Sequence, residues 1–181
     1  MLEIVKAPNP VLSQISNPVN SVDKSLLTLI EQMIEALEAA SDPIGVGLAA
    51  PQVGKSLQIF IAKPKITSKI LVFINPKIIS KIPITQKNKG KKTARKLEGC
   101  LSLQDIWGEV IRNPEITVEY LDEKGRKHTK KFTGFMSTVI QHEIDHLYGI
   151  LFPKRVLEQK GTLYKSEKDE KGEDIFDEIK I

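Results

Sequence analysis

Two of the three histidines in this 181-residue chain, His142 and His146, stand four positions apart in the run QHEIDH. A spacing of four places both imidazoles on one face of a helix, where they can bind the same metal ion. Glu143 lies one position round the helix, so its carboxylate can exchange a proton with a water molecule beside that metal. The pattern therefore predicts a metal centre with an acid–base group next to it.

The single cysteine, Cys100, is the candidate for a third metal ligand. A thiolate and two imidazoles leave a fourth position open, which is the ligand count of a catalytic site and not of a closed structural one. Taken alone, Cys100 is also compatible with a small buried apolar residue or with a nucleophile paired with a histidine. One cysteine excludes an intramolecular disulfide and fits a reducing compartment, so we expect a cytoplasmic protein.

A glycine-rich run, GVGLAAPQ at residues 45–52, precedes both Cys100 and the two histidines in the sequence. The pair Gly45 and Gly47 could begin a dinucleotide-binding loop, but no third glycine follows at the required spacing. A predicted helix, not a strand, also comes before the run, so we do not expect a Rossmann nucleotide site. Small residues here instead allow a ligand to approach the backbone closely.

Three motifs, taken in their order along the chain, resemble the signature sequences of the peptide deformylase family. These enzymes remove the formyl group from the N-terminal formylmethionine of new bacterial and organellar proteins. The motifs are GVGLAAPQ, EGCLS at residues 98–102 and QHEIDHLYG at residues 141–149. A weaker similarity spans residues 4–157.

The resemblance implies metal-dependent hydrolysis of the N-formyl group of N-formylmethionyl peptides, with release of formate. It makes Cys100, His142 and His146 the metal ligands and Glu143 the acid–base residue. The implied cofactor is one divalent ion, Fe²⁺ in the cell, with Zn²⁺, Ni²⁺ or Co²⁺ in the isolated protein, since this ligand set suits several metals. The implied partners are N-formylmethionyl nascent peptides, with the ribosome as a further candidate.

The same resemblance assigns groups that contact the substrate. Gln52 and the backbone N–H of Leu101 would donate hydrogen bonds to the formyl oxygen, and Gly47 would line the substrate groove. Val139, on the predicted HEIDH helix, is our candidate for the wall of the methionine pocket.

The chain departs from the family pattern just after EGCLS. Many deformylases carry proline near the position of Gln104 and arginine near that of Trp107, and arginine is common where Ser13 stands. An indole lacks the paired donors of a guanidinium but offers one N–H and a broad apolar face. We therefore expect Trp107 to make apolar contact with residues after the methionine; the alternative is a partly buried packing role.

Composition bounds the protein class. Apolar residues make up 40% and charged residues 28% of the chain, which is ordinary for a single globular domain. No apolar run approaches the roughly 20 residues that span a bilayer, so no membrane association is expected. Residues 87–96 are strongly basic, but no aromatic residue interleaves them, so we expect no specific nucleic-acid recognition.

Periodicity predicts two helices, at 22–40 behind a Ser21 cap and at 136–148 before a Gly149 C-cap. Five runs predict strands, which are numbered here in chain order. Pro83 weakens the third, and the last two form a hairpin. The five runs cover residues 57–62, 70–74, 77–85, 115–121 and 127–132.

These elements predict a single-domain α+β fold in which largely antiparallel strands pack around the central helix that bears HEIDH. We place the catalytic domain at residues 1–157 and a charged tail at 158–181. The sequence leaves three alternatives for this tail, which are a packed segment, a short helix and a disordered segment. A metalloprotease with the same helix is a rival function, against which Cys100 in EGCLS argues. A non-enzymatic relative that binds nascent chains or ribosomes is another, against which the intact catalytic set argues.

Overall fold

The computed structural model describes residues 2–41, 44–63, 68–82 and 96–180. The described residues form two antiparallel sheets, and the first has five strands in the order β1-β2-β3-β6-β7. Its strands are β1 (Gly47–Ala49), β2 (Ile59–Ala62), β3 (Leu71–Lys81), β6 (Glu115–Leu121) and β7 (Lys127–Thr133). The second sheet has four strands in the order β4-β5-β8-β9. Its strands are β4 (Lys96–Cys100), β5 (Leu103–Val110), β8 (Leu163–Lys168) and β9 (Asp174–Glu178).

Within the described ranges, three α-helices accompany the sheets, together with short 3₁₀ helices at Pro10–Ser13 and Ala50–Val53. The α-helices are α1 (Lys24–Ala39), α2 (Gly134–Leu147) and α3 (Phe152–Glu158). The first begins later than predicted, and Ser21 is not its cap. Asp23 caps it instead, because its carboxylate accepts a hydrogen bond of 2.9 Å from the N–H of Leu26.

The helix that bears HEIDH, α2, lies at the centre of the molecule. It packs against β1, β2, β6 and β7. Val139, Ile140 and Ile144 join an apolar cluster with Phe60 and Phe73 of the first sheet. A second cluster, which includes Cys100, fills the space between the four-stranded sheet and α3. The predicted α+β class, with antiparallel strands around this helix, is confirmed.

The strands agree with the predictions where alternation is clear. The strand predicted at 115–121 has the observed bounds, and its hairpin partner extends one residue further than predicted. The runs at 70–74 and 77–85 were wrongly separated, since β3 continues through Asn75-Pro76 with a register shift. Asn75 adopts a positive φ of 49°, and its side chain bonds the backbone N–H and carbonyl of Val19. This irregularity accommodates a proline inside a long strand.

The segment after residue 157 contains the hairpin β8–β9. Of the three alternatives for the tail, the structure therefore has the packed segment. Its strand β8 pairs with β5. The tail therefore shares a sheet with the strands that carry Cys100 and Trp107. The domain division at residue 157 stays a prediction.

Two predicted features fall partly outside the described residues. The first is the strand predicted at 77–85, whose end with Pro83 lies outside them. The second is the basic segment 87–96, of which only Lys96 is described. Among the described residues, no helix is long and apolar enough to cross a membrane.

Candidate metal centre

The HEIDH helix is fixed at its C-terminal end by a tight backbone approach. Gly149 follows the C-cap residue Tyr148 and has a φ of +67°. A Cβ at this position would lie 2.5 Å from the carbonyl carbon of Ser13. Only glycine combines this left-handed conformation with so little space, so the motif ends in glycine for a packing reason.

The structure brings the three predicted ligands together. Cys100 ends β4 and faces α2, where its Sγ lies 3.3 Å from Nε2 of His146. The candidate ligand atoms of Cys100, His142 and His146 all lie within 4.8 Å of one another. Cys100 and His146 are buried, and the side chain of His142 is 11% exposed. One sulfur and two imidazole nitrogens at this separation can bind a single transition-metal ion.

A buried ion-pair network orients His142. Its Nδ1 lies 3.0 Å from Oε2 of Glu98, which leaves Nε2 as the ring nitrogen that can bind a metal. Arg112 donates two hydrogen bonds of 2.9 Å to the Glu98 carboxylate and a third, of 2.6 Å, to Asp145. Arg155 of α3 bonds the same Asp145 carboxylate.

The sequence interpretation missed this network, although a signal was present. Glu98 stands two residues before Cys100 in the motif EGCLS, and both side chains are buried. Asp145 stands three residues after His142, on a neighbouring part of the helix surface. What the sequence does not indicate is that Arg112, two residues beyond the end of β5, reaches both carboxylates.

Ionisation in the centre follows from this network. Burial alone would raise the pKa of Glu98, but hydrogen bonds and charge from Arg112 and His142 lower it to about 2. Burial likewise opposes ionisation of Cys100, yet the neighbouring His146 and His142 hold the pKa of its thiol well below the ordinary value. Burial would lower the pKa of His142, but bonds from Cys100 and Glu98 raise it well above the ordinary value. The centre therefore stabilises positive charge beside a thiolate, which is the electrostatic requirement of a bound cation.

Glu143 lies beside the three candidate ligands and is almost fully buried. Burial raises its pKa to about 7, against the lowering effect of the charges on His142 and His146. Its Oε2 is buried and has no hydrogen-bond partner among the described residues. A carboxyl group whose pKa is near neutrality, and which has an oxygen without a hydrogen-bond partner, can both accept and return a proton.

Gln52 and Leu101 both adjoin Cys100, the first through space and the second along the chain. In the Ala50–Val53 turn, the Gln52 side-chain oxygen accepts a 2.9 Å hydrogen bond from the N–H of Ala49. This bond turns Nε2 towards the centre, where it lies 3.5 Å from Sγ of Cys100 and 3.3 Å from Oγ of Ser102. Leu101 follows Cys100 directly, and its carbonyl accepts a 2.7 Å hydrogen bond from Nζ of Lys6.

A pocket of about 260 Å³ opens onto these groups. Gly47, Val139 and Trp107 all line it, together with Cys100 and Glu143. A Cβ on Gly47 would overlap the Glu143 carboxylate, so glycine at this position allows Glu143 to lie against β1. Three partly exposed apolar side chains surround the mouth, namely Ile44, Leu97 and Phe135.

The structure shows which part of the Trp107 indole is available to a substrate. Its indole N–H is not free for a substrate, because Nε1 donates a 3.1 Å hydrogen bond to Oγ of Ser166 on β8. The six-membered ring lies against Gly99 instead. The residue therefore presents apolar ring surface to the pocket.

The comparisons with known proteins agree with this geometry. A family model described as polypeptide deformylase matches residues 1–161. The chain belongs to the peptide deformylase family.

Relatives in this family are similar over most of their length. The peptide deformylase of Chlorobaculum parvum is 39% identical over 161 residues, which is 86% of this chain and 80% of that protein. The enzyme of Rhizobium meliloti is 38% identical over 152 residues, covering 82% and 81%. The crystal structure of the Thermotoga maritima peptide deformylase superposes with a TM-score of 0.75 at 35% identity, covering 86% of this chain and 97% of that one.

Family membership establishes the reaction class. The chain is a peptide deformylase, a metal-dependent hydrolase that removes the N-formyl group from N-formylmethionyl peptides of newly made proteins and releases formate. The described residues contain a fitting Cys/His/His group for the metal.

Proposed function

We propose that Cys100, His142 and His146 bind the metal ion at which this enzyme hydrolyses its formyl substrate, with Glu143 as the acid–base residue. The observation that carries the proposal is the approach of the three ligand atoms to within 4.8 Å, at the end of the pocket where Glu143 is buried. When bound, the ion acts as a Lewis acid, which lowers the pKa of a water molecule and polarises the formyl carbonyl.

Glu143 moves the proton that hydrolysis requires. It takes one proton from the water molecule whose oxygen attacks the formyl carbon, and it holds that proton at its carboxylate. When the C–N bond of the formamide breaks, Glu143 gives the proton to the departing amine nitrogen, so that formate and a free N-terminus result. A pKa near 7 supports both steps at neutral pH.

Gln52 and Leu101 stabilise the negative charge that develops on the formyl oxygen. Nε2 of Gln52 and the backbone N–H of Leu101 donate hydrogen bonds to this oxygen. The bond from Ala49 to the Gln52 side-chain oxygen supports this role, because it keeps the amide from rotating. One such donor is typically worth about 2.7–4 kcal/mol of the activation barrier.

Val139, Gly47 and Trp107 receive the substrate. Val139 forms part of an apolar wall that suits the methionine side chain, and Gly47 lets the substrate backbone approach Glu143. The ring of Trp107, which lines the same pocket, contacts the residue after methionine.

The cofactor and cellular setting belong to the same proposal. Fe²⁺ is the physiological metal, with Zn²⁺, Ni²⁺ and Co²⁺ able to replace it in isolated protein, since thiolate and imidazole bind all four. The enzyme works in the cytoplasm on N-formylmethionyl nascent peptides, and the ribosome is its candidate partner. Cys100 as an unpaired ligand supports a reducing compartment.

Formate release from a formyl-Met-peptide tests this function directly. Ion-free protein is loaded with each of the four metals under anaerobic conditions, and formate and free amine are measured separately. We expect one formate for each free amine, the highest turnover with Fe²⁺, and no reaction with an acetyl-Met-peptide as control. Cleavage of an internal peptide bond, seen by mass spectrometry, would support a metalloprotease and contradict the assignment.

A further inference from the structure

The C-terminal hairpin lies beyond the part of the chain that the family model matches. The match ends at residue 161, whereas β8 begins at Leu163 and β9 ends at Glu178. The hairpin nevertheless extends the sheet that forms one wall of the substrate pocket, because β8 pairs with β5. It is therefore placed to alter what the pocket accepts.

Strand register shows which side chains of the hairpin share a face of this sheet with Trp107. Residues directly opposite in an antiparallel ladder point to the same face, as do residues two apart on one strand. Gly99 is opposite Trp107, and Trp107 is opposite Tyr164. Ser166 lies two residues after Tyr164 and is opposite Phe176. The side chains of Trp107, Ser166 and Phe176 consequently share one face.

Two contacts from the hairpin fix the indole of Trp107. Oγ of Ser166 accepts the hydrogen bond from Nε1, at 3.1 Å. Phe176 meets the indole edge-on, with ring centroids 5.8 Å apart and planes at 87°. On β4, a Cβ on Gly99 would lie 2.9 Å from the six-membered ring. The indole is thus held between Gly99 and the hairpin.

We propose that the hairpin β8–β9 is a specificity element, in which Ser166 and Phe176 are positioning residues for Trp107. By binding the indole N–H and flanking the rings, they leave only apolar surface to the substrate. The enzyme then favours apolar over polar or acidic residues directly after formylmethionine. This inference rests on the assignment of Trp107 to the substrate pocket under the proposed function.

Trp107 is the only tryptophan of the chain, so its fluorescence reports its own surroundings. The test variants are Phe176→Ala and Ser166→Ala. Ile175→Ala is the matched control, since Ile175 is 45% exposed against 40% for Phe176 but pairs with Glu167 on the opposite face. We expect Phe176→Ala to shift emission to longer wavelength and to increase acrylamide quenching, and Ile175→Ala to change neither.

Kinetics then test specificity with the iron-loaded full-length enzyme. The ratio of kcat/KM for formyl-Met-Leu over formyl-Met-Asp peptides should fall about three- to tenfold in Phe176→Ala, the range of a lost aromatic contact. Ser166→Ala should lower the same ratio less. Phe176→Tyr should restore the ratio because it keeps the ring, and Ile175→Ala should leave it unchanged.

The outcomes separate this proposal from the one on which it rests. Unchanged fluorescence and an unchanged ratio in Phe176→Ala and Ser166→Ala would overturn the role of the hairpin, even if Trp107→Ala alters the ratio. Shifted fluorescence with an unchanged ratio would overturn the specificity role. If Trp107→Ala also left the ratio unchanged, the pocket assignment itself would fail. Should alanine at Phe176 prevent folding, Phe176→Leu keeps the apolar volume without the ring and serves the same comparison.

Discussion

At the metal centre, His142 is held by a chain of buried ion pairs from several elements, whereas at the pocket rim Trp107 is held by a few weaker contacts. His142 bonds Glu98 on β4, Glu98 receives two bonds from Arg112, and Arg112 continues to Asp145 on α2. Removing any member leaves a buried charge without its partner. Such a network tolerates little change, because unpaired buried charge is costly.

The rim is held by weaker and fewer contacts. One hydrogen bond to Ser166 and one edge-on contact with Phe176 position the indole of Trp107, and Phe176 is itself 40% exposed. Losing one of them leaves no buried charge. The difference indicates that the reaction depends on the centre, while the rim can vary and adjust which peptides are favoured.

The largest expected effect comes from Cys100→Ser, which breaks the centre. A serine hydroxyl is a harder and far less acidic ligand than a thiolate, so metal binding should weaken and most activity should be lost. Metal analysis of the purified variant, together with formate release, provides the check. Full activity with unchanged metal content would show that Cys100 is not a ligand.

Gln52→Met should lower kcat by about 10²–10³ while the metal is retained, because it removes one donor to the formyl oxygen. It also leaves the buried N–H of Ala49 unpaired, which should lower the free energy of unfolding by about 1–3 kcal/mol. Steady-state kinetics and urea unfolding measure the two effects separately. A kcat within twofold of the wild type would remove Gln52 from the proposed mechanism.

Arg112→Met should weaken metal binding by about 10–100-fold and destabilise the fold by about 3–5 kcal/mol, since it leaves Glu98 short of its main partner. Urea unfolding and metal titration measure these losses. The matched control is Arg126→Met, which breaks an arginine pair with Asp122 whose arginine side chain is 63% exposed. Because this pair is exposed to solvent, the control should change stability far less than Arg112→Met does.

The pH dependence of the same variant follows from the pKa of Glu98. This pKa is about 2 in the folded protein against an ordinary value of 4.5, so ionised Glu98 stabilises the fold above about pH 4.5. That contribution is lost as the pH falls towards 2. The stability difference between wild type and Arg112→Met should therefore shrink over this range, and a constant difference would contradict the role of the pair.

The smallest expected effect is at the rim. Trp107→Ala should lower kcat/KM several-fold for formyl-Met-peptides with an apolar second residue, because the lost ring contact is worth about 0.5–1.5 kcal/mol. Metal content should not change. A flat response across a series of second and third residues would show that Trp107 is a packing residue only.

The same contrast explains what the sequence can predict. The HEIDH helix and the strand at Glu115–Leu121 have clear periodicity, so both were predicted near their observed bounds. The strands β4 and β5 were missed, because their burial depends on α3 and on the distant hairpin and not on local alternation. The cap of α1 was misplaced by two residues, since serine and aspartate are both good caps and only geometry distinguishes them.

The candidate site divides in the same way. Motif residues indicated which side chains would meet. The three predicted ligands lie together, and two of them, Cys100 and His142, line one pocket with Glu143 and Gln52. The partners Arg112 and Ser166 come from outside the motifs. Nothing in their local sequence indicates that they bond Glu98 and Trp107, because those contacts depend on how separate strands pair.

Glu143→Gln tests most directly whether Glu143 moves the proton at a metal centre whose ligands are three other residues. Glutamine keeps the size of the side chain but cannot accept the proton. We predict metal content equal to that of the wild type and a kcat lowered by at least about 10², the low end for a positioned acid–base group. Near-normal formate release by a fully metal-loaded Glu143→Gln protein would show that Glu143 is not the acid–base residue.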